Sequence, residues 1–267
     1  MLHTEYPPPE ALRESIKCFW HNRWDFGEQP SGFEVMPDGY AEIIFSFGSV
    51  LRDGAVLPSP FLMGLLNQPV VFSAAGRLEI IGIRCYPWTV FDLLGLPPGK
   101  HGVHTFEHPI AQLQPLLAQH VQAGDIDAAL DALRRYFQPK QADSMLTKAG
   151  EAMRSAGGAM PVSEVAAAAH ATVRTLERKF KQSSGHTVKD VSGLMRFEQA
   201  RNRLWHAPQT NLAALAQELG YADQSHLSRE FKRYSGAAPS AFARKARMQA
   251  ASEDFVAFVQ APSGAKP

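Results

Sequence analysis

The sequence predicts an α+β chain of several domains. We expect a β-rich barrel or sandwich first, then a helical hairpin as linker. An all-α domain follows, with two helix-turn-helix units joined by a long helix. Three observations predict this order: short β-branched and aromatic runs fill the first 110 residues, apolar spacing then becomes helical, and a 14-residue segment recurs 51 residues further along the chain.

The β-rich region, 1–110, contains three stretches with clear strand candidates. The stretch "FEVMPDGYAEIIFSFG" places strand-like residues on both sides of "PDG", a turn in which Pro presets φ and Gly accepts positive φ. The runs "QPVVFSA" and "RLEIIGIRCY" are bounded by Gly, Pro and Asn, as strands often are. Several aromatic residues of this region either line an apolar ligand pocket or form plain core, which is the more common role. They are Trp20, Trp24, Phe26, Phe45, Phe47, Tyr86 and Trp88.

The helical region, 111–157, opens with a predicted hairpin over 111–137. Apolar residues of "IAQLQPLLAQHVQAGDIDAALDALRRYF" recur at helical intervals, and Gly124 followed by Asp125 supplies a stop and a fresh N-cap. A third helix is predicted over roughly 143–155, after which "SAGGAMP" resembles a linker. The tail, 251–267, is predicted to be disordered.

Composition limits the classes of function. Apolar residues make up 45% of the 267 and charged residues 20%, the balance of an ordinary globular protein. No run of 18 apolar residues exists, and the N-terminus lacks the basic head and apolar stretch of an export signal. The two cysteines, Cys18 and Cys85, are far apart, which predicts free thiols rather than a disulfide or a zinc site. We therefore expect a cytoplasmic protein with no membrane span.

The charge is distributed unevenly along the chain. Residues 1–140 carry 10 Lys/Arg and 15 Asp/Glu, a net charge of −5, whereas 160–250 carry 14 and 7, a net charge of +7. A basic region of this size suits a polyanion, although a solvated Lys/Arg surface is also common. The repeat decides between these two readings.

The repeated segment reads as the second helix of a helix-turn-helix unit. "TVRTLERKFKQSSG", 172–185, and "DQSHLSREFKRYSG", 223–236, share Leu, Arg, Phe, Lys, Ser and Gly at matched positions. Leu176 and Phe180 form the buried stripe of the first copy, with Thr172 as its cap. Leu227, Phe231 and Asp223 take the same places in the second.

A short amphipathic helix precedes each copy, and the turns between the helices differ. Gly220 ends the preceding helix of the second copy, since the absence of a Cβ allows a left-handed turn. His170 stands at this position in the first copy, whose turn is one residue shorter. Two short helices joined by a tight turn are the layout of a helix-turn-helix.

The outward residues near the start of each second helix are suited to base recognition. Side chains of the first turns of such helices reach base edges in the major groove, and Arg can pair with guanine through two hydrogen bonds. Singly, each is more often a plain exposed residue, but two matched triplets in a basic region favour DNA contact. The candidate base-reading residues are Arg174, Thr175, Arg178, Ser225, His226 and Arg229.

A long helix is predicted between the two copies, over 188–205. Its apolar stripe is continuous, and 18 residues form a rod of roughly 27 Å. Because major-groove segments on one face of DNA recur every ~34 Å, such a rod would let one chain read two adjacent segments. The candidate phosphate-contacting residues are Lys181, Arg203, Lys232 and Arg233.

These residues resemble the AraC/XylS family of bacterial transcription regulators over about 160–247. The resemblance is carried by "LAALAQELGYADQSHLSREFKRYSGAAPSAF", with Gly220-Tyr221 and Pro239, and by "RFEQARNRLW" in the linker helix. It implies a domain of seven helices, in which a long helix joins two helix-turn-helix units. The departures are Val188 and Val191, in place of a Pro and an aromatic residue, and Gly193 inside the linker helix, which costs up to ~1 kcal/mol relative to Ala.

The resemblance also implies how the whole chain is used. Such regulators bind double-stranded DNA sequence-specifically, and their N-terminal domain is usually a cupin-like barrel that senses a small effector or dimerises. The expected domains are therefore a sensing domain at 1–110, a linker or dimerisation region at 111–157, a DNA-binding domain at 158–250, and the tail. A homodimer and contact with RNA polymerase are expected, with no cofactor and no enzymatic activity.

Two alternatives stay open for the N-terminal half: a cupin-type enzyme, or a dimeriser that senses nothing. "KHGVHTFEHP" invites a metal reading through His101, His104 and His108. Those spacings would need a helix, which Gly102 and Pro109 disfavour, so no metal site is expected. No phosphate-cradling Gly loop and no nucleophile elbow occur.

Overall fold

The computed structural model of the chain describes residues 2–99, 102–137 and 143–250 and divides into two units. Unit 1 comprises Met1–Phe33, Tyr40–Leu65 and Val71–Ala142. Unit 2 comprises Glu34–Gly39, Leu66–Val70 and Asp143–Pro267. The tail that the sequence predicts to be disordered lies outside the described residues. None of the described helices is long and apolar enough to cross a membrane.

The N-terminal half is β-rich, as predicted, and forms two open sheets. A six-stranded sheet has the order β1-β2-β9-β4-β7-β10, and a four-stranded sheet has the order β3-β8-β5-β6. The strands are β1 Leu2–Tyr6, β2 Ile16–Asp25, β3 Ser31–Val35, β4 Ala41–Phe47, β5 Leu51–Arg52, β6 Ala55–Val56, β7 Phe61–Met63, β8 Val70–Ala74, β9 Arg77–Cys85 and β10 Val103–His104. The "PDG" turn separates strands of different sheets, so the two strands beside it do not pair.

The core of unit 1 lies between the larger sheet and the helices that follow it. Phe19 of β2 and Ile43 of β4 both pair with Ile83 of β9, and all three side chains are fully buried. Leu117 and Leu130 belong to the same apolar cluster, which also takes in the short helix α1, Val90–Leu94. The apolar face of the hairpin therefore covers one face of the sheet.

The helical hairpin is confirmed. A 3₁₀ turn, Pro109–Leu113, leads into α2, Gln114–Ala123, and α3, Ile126–Tyr136, follows. Gly124 is left-handed and ends α2. The Asp125 carboxylate accepts from the N–H of Ala128 at 3.0 Å, so it caps α3 as predicted.

Unit 2 consists mainly of helices. They are α4 Ser144–Ser155, α5 Val162–Ala168, α6 Val173–Ser184, α7 Val188–His206, α8 Leu212–Glu218, α9 Gln224–Ser235 and α10 Pro239–Ala250. The bounds of α4 and α7 agree closely with the helices predicted at 143–155 and 188–205. A capping box opens α7, in which Thr187 and Asp190 each accept from the other's backbone N–H.

Two short segments from the N-terminal half, 34–39 and 66–70, belong to unit 2. Arg201 of α7 is only 1% exposed, and its Nη1 donates to the carbonyl oxygen of Pro37 at 3.2 Å. Gly39 lies so close to Met195 that an added Cβ would stand 3.3 Å from its Cγ. The helical unit is thus completed by two segments that lie far ahead of it in the sequence.

Candidate nucleic-acid interface

The two predicted helix-turn-helix units are present. α5 and α6 form the first, α8 and α9 the second, and we call α6 and α9 the recognition helices. Thr172 accepts from the N–H of Thr175 at 3.2 Å, and Asp223 accepts from the N–H of His226 at 2.6 Å. Each recognition helix therefore begins at its predicted cap, which satisfies a backbone donor that the helix itself leaves unpaired.

The turns of the two units differ as the sequence predicts. His170 has φ 54° and Gly220 has φ 73°, so both residues are left-handed at corresponding places in the turn. An added Cβ at Gly220 would stand 2.9 Å from the Cβ of Ala159. A side chain is therefore excluded from the second turn by packing as well as by backbone conformation, whereas His170 is exposed.

The six candidate base-reading residues all lie on the outward side of the recognition helices. Arg174, Arg178, Ser225 and Arg229 are exposed, while Thr175 and His226 are partly buried. On the opposite side of each helix, the predicted Leu and Phe stripe is fully buried. The buried core of each helix-turn-helix is therefore formed without these six side chains. Base contact by them stays a prediction.

The four candidate phosphate-contacting residues are also exposed. Lys181 and Lys232 lie at matched positions near the ends of α6 and α9. Arg203 differs, because its Nη2 lies 2.6 Å from Oε1 of Glu218, with both side chains about half exposed. Arg233 lies over the ring of the neighbouring Tyr234 at 5.4 Å. Arg203 and Arg233 therefore already contact other side chains of unit 2.

The glycine inside α7 has a packing role that the sequence did not reveal. An added Cβ at Gly193 would stand 3.0 Å from the Tyr234 hydroxyl and 3.6 Å from the carboxylate of Glu230. Phe197, one turn further along α7, packs against Phe231 with ring centroids 5.1 Å apart. Gly193 thus lets α9 approach the linker helix closely.

Arg196 of α7 joins the turn after α4 to two parts of the second helix-turn-helix. Its Nη1 donates to the carbonyl oxygen of Gly158 at 2.8 Å, and its Nη2 lies 3.2 Å from Oε1 of Glu230 on α9. Its guanidinium also lies over the ring of Tyr221, in the turn, at 5.1 Å. Arg196 and Tyr221 both belong to the quoted signature, but the signature does not show that they meet.

The first recognition helix, α6, is tied to the start of α4 by an ion pair of the opposite polarity. Lys179 of α6, the counterpart of Glu230, lies 2.5 Å from Oδ2 of Asp143, the N-cap of α4. Burial raises the pKa of Asp143, but the Lys179 ammonium and the N–H groups of Leu146 and Met145 outweigh it, so the net shift is downward. In each helix-turn-helix, one charged residue of the recognition helix therefore forms an ion pair with an oppositely charged residue outside that helix.

Unit 1 shows a packed polar interior. The Arg84 guanidinium donates to Glu42 at 2.7 Å and to Glu5 at 2.9 Å, and the Trp20 indole donates to Glu42 at 3.2 Å. Of the seven aromatic residues considered for a pocket, all except Phe26 and Phe47 are buried, so these five belong to the core.

The histidine-rich stretch does not assemble a ligand set in the described part of the chain. His104 lies in β10, and Nδ1 of His108 accepts from the N–H of Ile110 at 3.2 Å. His101 lies outside the described residues. No three metal-ligating side chains come together among the residues that the structure describes. Both cysteines are free thiols, as predicted.

Comparison with known proteins finds a family model that matches a region in each half of the chain. Residues 165–245 match the family model described as a helix-turn-helix domain, and residues 4–104 match a domain of unknown function, DUF6597. No curated protein matches the chain.

Several solved structures are similar to the chain at low identity. ToxT from Vibrio cholerae is 11% identical, with 85% of this chain and 98% of that chain covered and a TM-score of 0.45. The C-terminal domain of AraT, a response regulator from Geobacillus stearothermophilus, is 20% identical over 40% of this chain and 88% of that chain, with a TM-score of 0.37. The DNA-binding domain of AdpA, solved with a target DNA, is 22% identical over 40% of this chain and 96% of that chain, also with a TM-score of 0.37.

The family model and the duplicated, equivalently capped helices agree with each other. The chain therefore carries an AraC-type helix-turn-helix domain in its C-terminal region and is a DNA-binding transcription regulator.

Proposed function

We propose that α6 and α9 enter two neighbouring major-groove segments on one face of the DNA, with α7 as the spacer between them. The observation that carries this proposal is the pair of matched triplets that both recognition helices leave outward. The 19 residues of α7 form a rod of roughly 28 Å, comparable to the ~34 Å between such segments.

Selection from a random DNA pool, followed by footprinting, tests the spacing. Two protected segments about one helical turn apart are expected, and each should lose protection when its own Arg is changed. Arg178→Ala should affect one segment and Arg229→Ala the other. A single protected segment, with one of these residues dispensable, would contradict the proposal.

Binding to the selected site then tests the base-reading role. Arg229→Ala should weaken the selected site by about 1–3 kcal/mol while sparing random DNA, because an Arg that pairs with guanine contributes only at its own base pair. Arg244→Ala, exposed on α10 outside both recognition helices, is the matched control. Equal losses on selected and random DNA would assign Arg229 to the backbone instead.

The salt dependence of affinity tests the phosphate contacts. Neutralising Lys232 should flatten the slope of log affinity against log salt by about one unit, because one fewer counterion is released. Lys181→Met should act in the same way on the first recognition helix. Arg203 should show a smaller effect, since its binding first breaks the pair with Glu218. An unchanged slope for Lys232→Met would remove that contact from the interface.

We also propose that unit 1 dimerises the protein through the α2–α3 hairpin. Leu116 of α2 supports this, since it is one of the few large apolar side chains that remain exposed among the described residues. Leu116→Glu should shift the full chain toward monomer in sedimentation, whereas Gln122→Glu, exposed on the same helix, should not. A wild-type chain that sediments only as monomer would defeat this proposal.

Control by a small effector bound to unit 1 is the remaining part of the proposal, together with contact to RNA polymerase and a cytoplasmic location. Thermal-shift screening distinguishes a sensor from a protein that only dimerises. An effector present at 100 times its dissociation constant should stabilise the folded chain by about 2.7 kcal/mol. A concentration-dependent shift that is unaffected by Leu116→Glu would assign the effect to unit 1 ligand binding rather than to dimerisation.

A further inference from the structure

The two nitrogens of the His226 ring have different surroundings. The backbone N–H of Ala222 donates to Nδ1 across 3.4 Å. A backbone N–H can only donate, so Nδ1 must present a lone pair, and the ring proton of the neutral imidazole lies on Nε2. Nε2 is 4.0 Å from Oε2 of Glu230, beyond hydrogen-bonding distance, so Glu230 does not consume that donor.

The ring is also held in orientation from two sides. It stands edge-on to the ring of Tyr221, with centroids 5.3 Å apart and planes at 89°. Tyr221 and Glu230 are both contacted by the guanidinium of Arg196, which approaches from the linker helix. Arg196 therefore fixes the two groups that flank the imidazole, and its own side chain is only 13% exposed.

The first helix-turn-helix has a different arrangement at the same place. Thr175, the counterpart of His226, shares a hydrogen bond between hydroxyls with Thr172 at 3.0 Å. Its hydroxyl can rotate to donate or accept, so it imposes no fixed polarity on a base edge. The fixed donor is therefore a property of the second recognition helix in particular.

We propose that His226 reads its base as an obligate hydrogen-bond donor through Nε2, and that Arg196 is the positioning residue that holds it in this form. This inference rests on the proposed function, in which His226 faces the major groove. Guanine offers N7 and O6 as acceptors there, whereas cytosine presents only the N4 donor. Adenine N7 and thymine O4 also accept there, so the contacted base should be guanine, adenine or thymine, and cytosine should be rejected.

Nitrogen-15 spectra of the imidazole in the full chain test the tautomer without DNA. His226→Gln assigns the signals, and the wild-type protein at neutral pH should show a protonated Nε2 and a lone pair on Nδ1. Arg196→Met and Glu230→Gln should both move these signals toward the averaged values of a free imidazole. A protonated Nδ1 in the wild-type protein would overturn the inference, whatever the protein does with DNA.

Base preference tests the consequence for recognition. At the base pair lost in His226→Ala, the wild type should prefer guanine to cytosine roughly tenfold, within the range for a single mismatched pair. Arg196→Met should reduce this preference to about twofold or less and leave the pairs read by α6 unchanged. Lys189→Met, which removes an exposed cation from the same helix, should keep the whole preference profile.

The outcomes separate this inference from the function on which it rests. If Arg196→Met weakens all base pairs equally, Arg196 is only structural and the positioning role fails. If His226→Ala changes no base preference while the spectra still show protonated Nε2, the base-reading role of His226 fails instead. If Arg196→Met fails to fold, the imidazole spectra and the base preferences can both be measured on Glu230→Gln, which keeps the length of the side chain.

Discussion

Replacing Gly220 by Ala should destabilise unit 2 by about 1–4.5 kcal/mol through two separate effects. Position 220 has φ 73°, and holding an L-residue such as Ala in this left-handed backbone conformation costs roughly 1–2 kcal/mol. The new methyl would also stand 2.9 Å from the Cβ of Ala159, well inside normal contact distance, and overpacking of this kind costs about 1–3 kcal/mol. The reduced freedom of the unfolded chain offsets roughly 0.4–1 kcal/mol of the total.

Gly236 provides a control that separates the two effects. It ends α9 with φ 72°, almost the same conformation, yet an added Cβ there meets nothing within 4 Å. Gly236→Ala should therefore cost only the net backbone strain, about 0.5–1 kcal/mol. His170→Gly is the reciprocal change and should leave stability unchanged or raise it by up to about 1 kcal/mol, because it removes the same strain from the first turn.

Native-state hydrogen exchange of the α7 amides is the suitable assay, because it reports the opening of unit 2 by itself. The order of the free energies of unfolding should be His170→Gly, at or above wild type, then Gly236→Ala, then Gly220→Ala. If Gly220→Ala costs no more than Gly236→Ala, then Ala159 does not pack against the second turn and the reasoning is wrong.

Three further predictions concern an ion pair, a buried arginine and a buried thiol. Because the folded-state pKa of Asp143 is lowered, its pair with Lys179 stabilises the fold above the unfolded-state value of about 3.9 and is lost as pH falls through the lower folded value. Asp143→Asn should thus reduce stability at neutral pH, and urea unfolding should show this difference vanish in acid. Arg201→Met should cost about 1–3 kcal/mol in the same assay by leaving a buried carbonyl unpaired, whereas Arg203→Met should cost little. Burial raises the pKa of Cys18 to about 12, so Ellman's reagent at pH 8 should label it roughly a thousandfold more slowly in the native protein than in urea.

The C-terminal helices could be predicted from the sequence because their determinants are local. Thr172 and Asp223 cap the helices that begin beside them, and the stripes of Leu176 and Leu227 recur at helical spacing. The shorter first turn could be predicted because His170 stands one residue closer to its cap, Thr172, than Gly220 does to Asp223. Each of these features depends on residues within a few positions along the chain, which a pattern can capture.

The strands and the positioning contacts could not be read in the same way. β2 is the longest of the described strands and is buried on both faces, so polar and apolar residues do not alternate along it. The buried polar residues His21 and Asn22 also interrupt its apolar run. The bond from Arg201 to Pro37 spans 164 positions, and Arg196 meets Glu230 across 34. Such contacts follow from packing between distant segments, so no local pattern announces them.

The Lys179–Asp143 and Glu230–Arg196 ion pairs have opposite polarity, which limits how the recognition helices can be exchanged. A designer who wished to duplicate one specificity would copy α9 into the place of α6, since cap, stripe and terminal glycine all correspond. That graft would bring the carboxylate of Glu230 to face Asp143, where Lys179 now lies. The two carboxylates would then repel each other, so each recognition helix is matched to the charge of the residue it pairs with. A functional graft must therefore also place a basic residue at position 143.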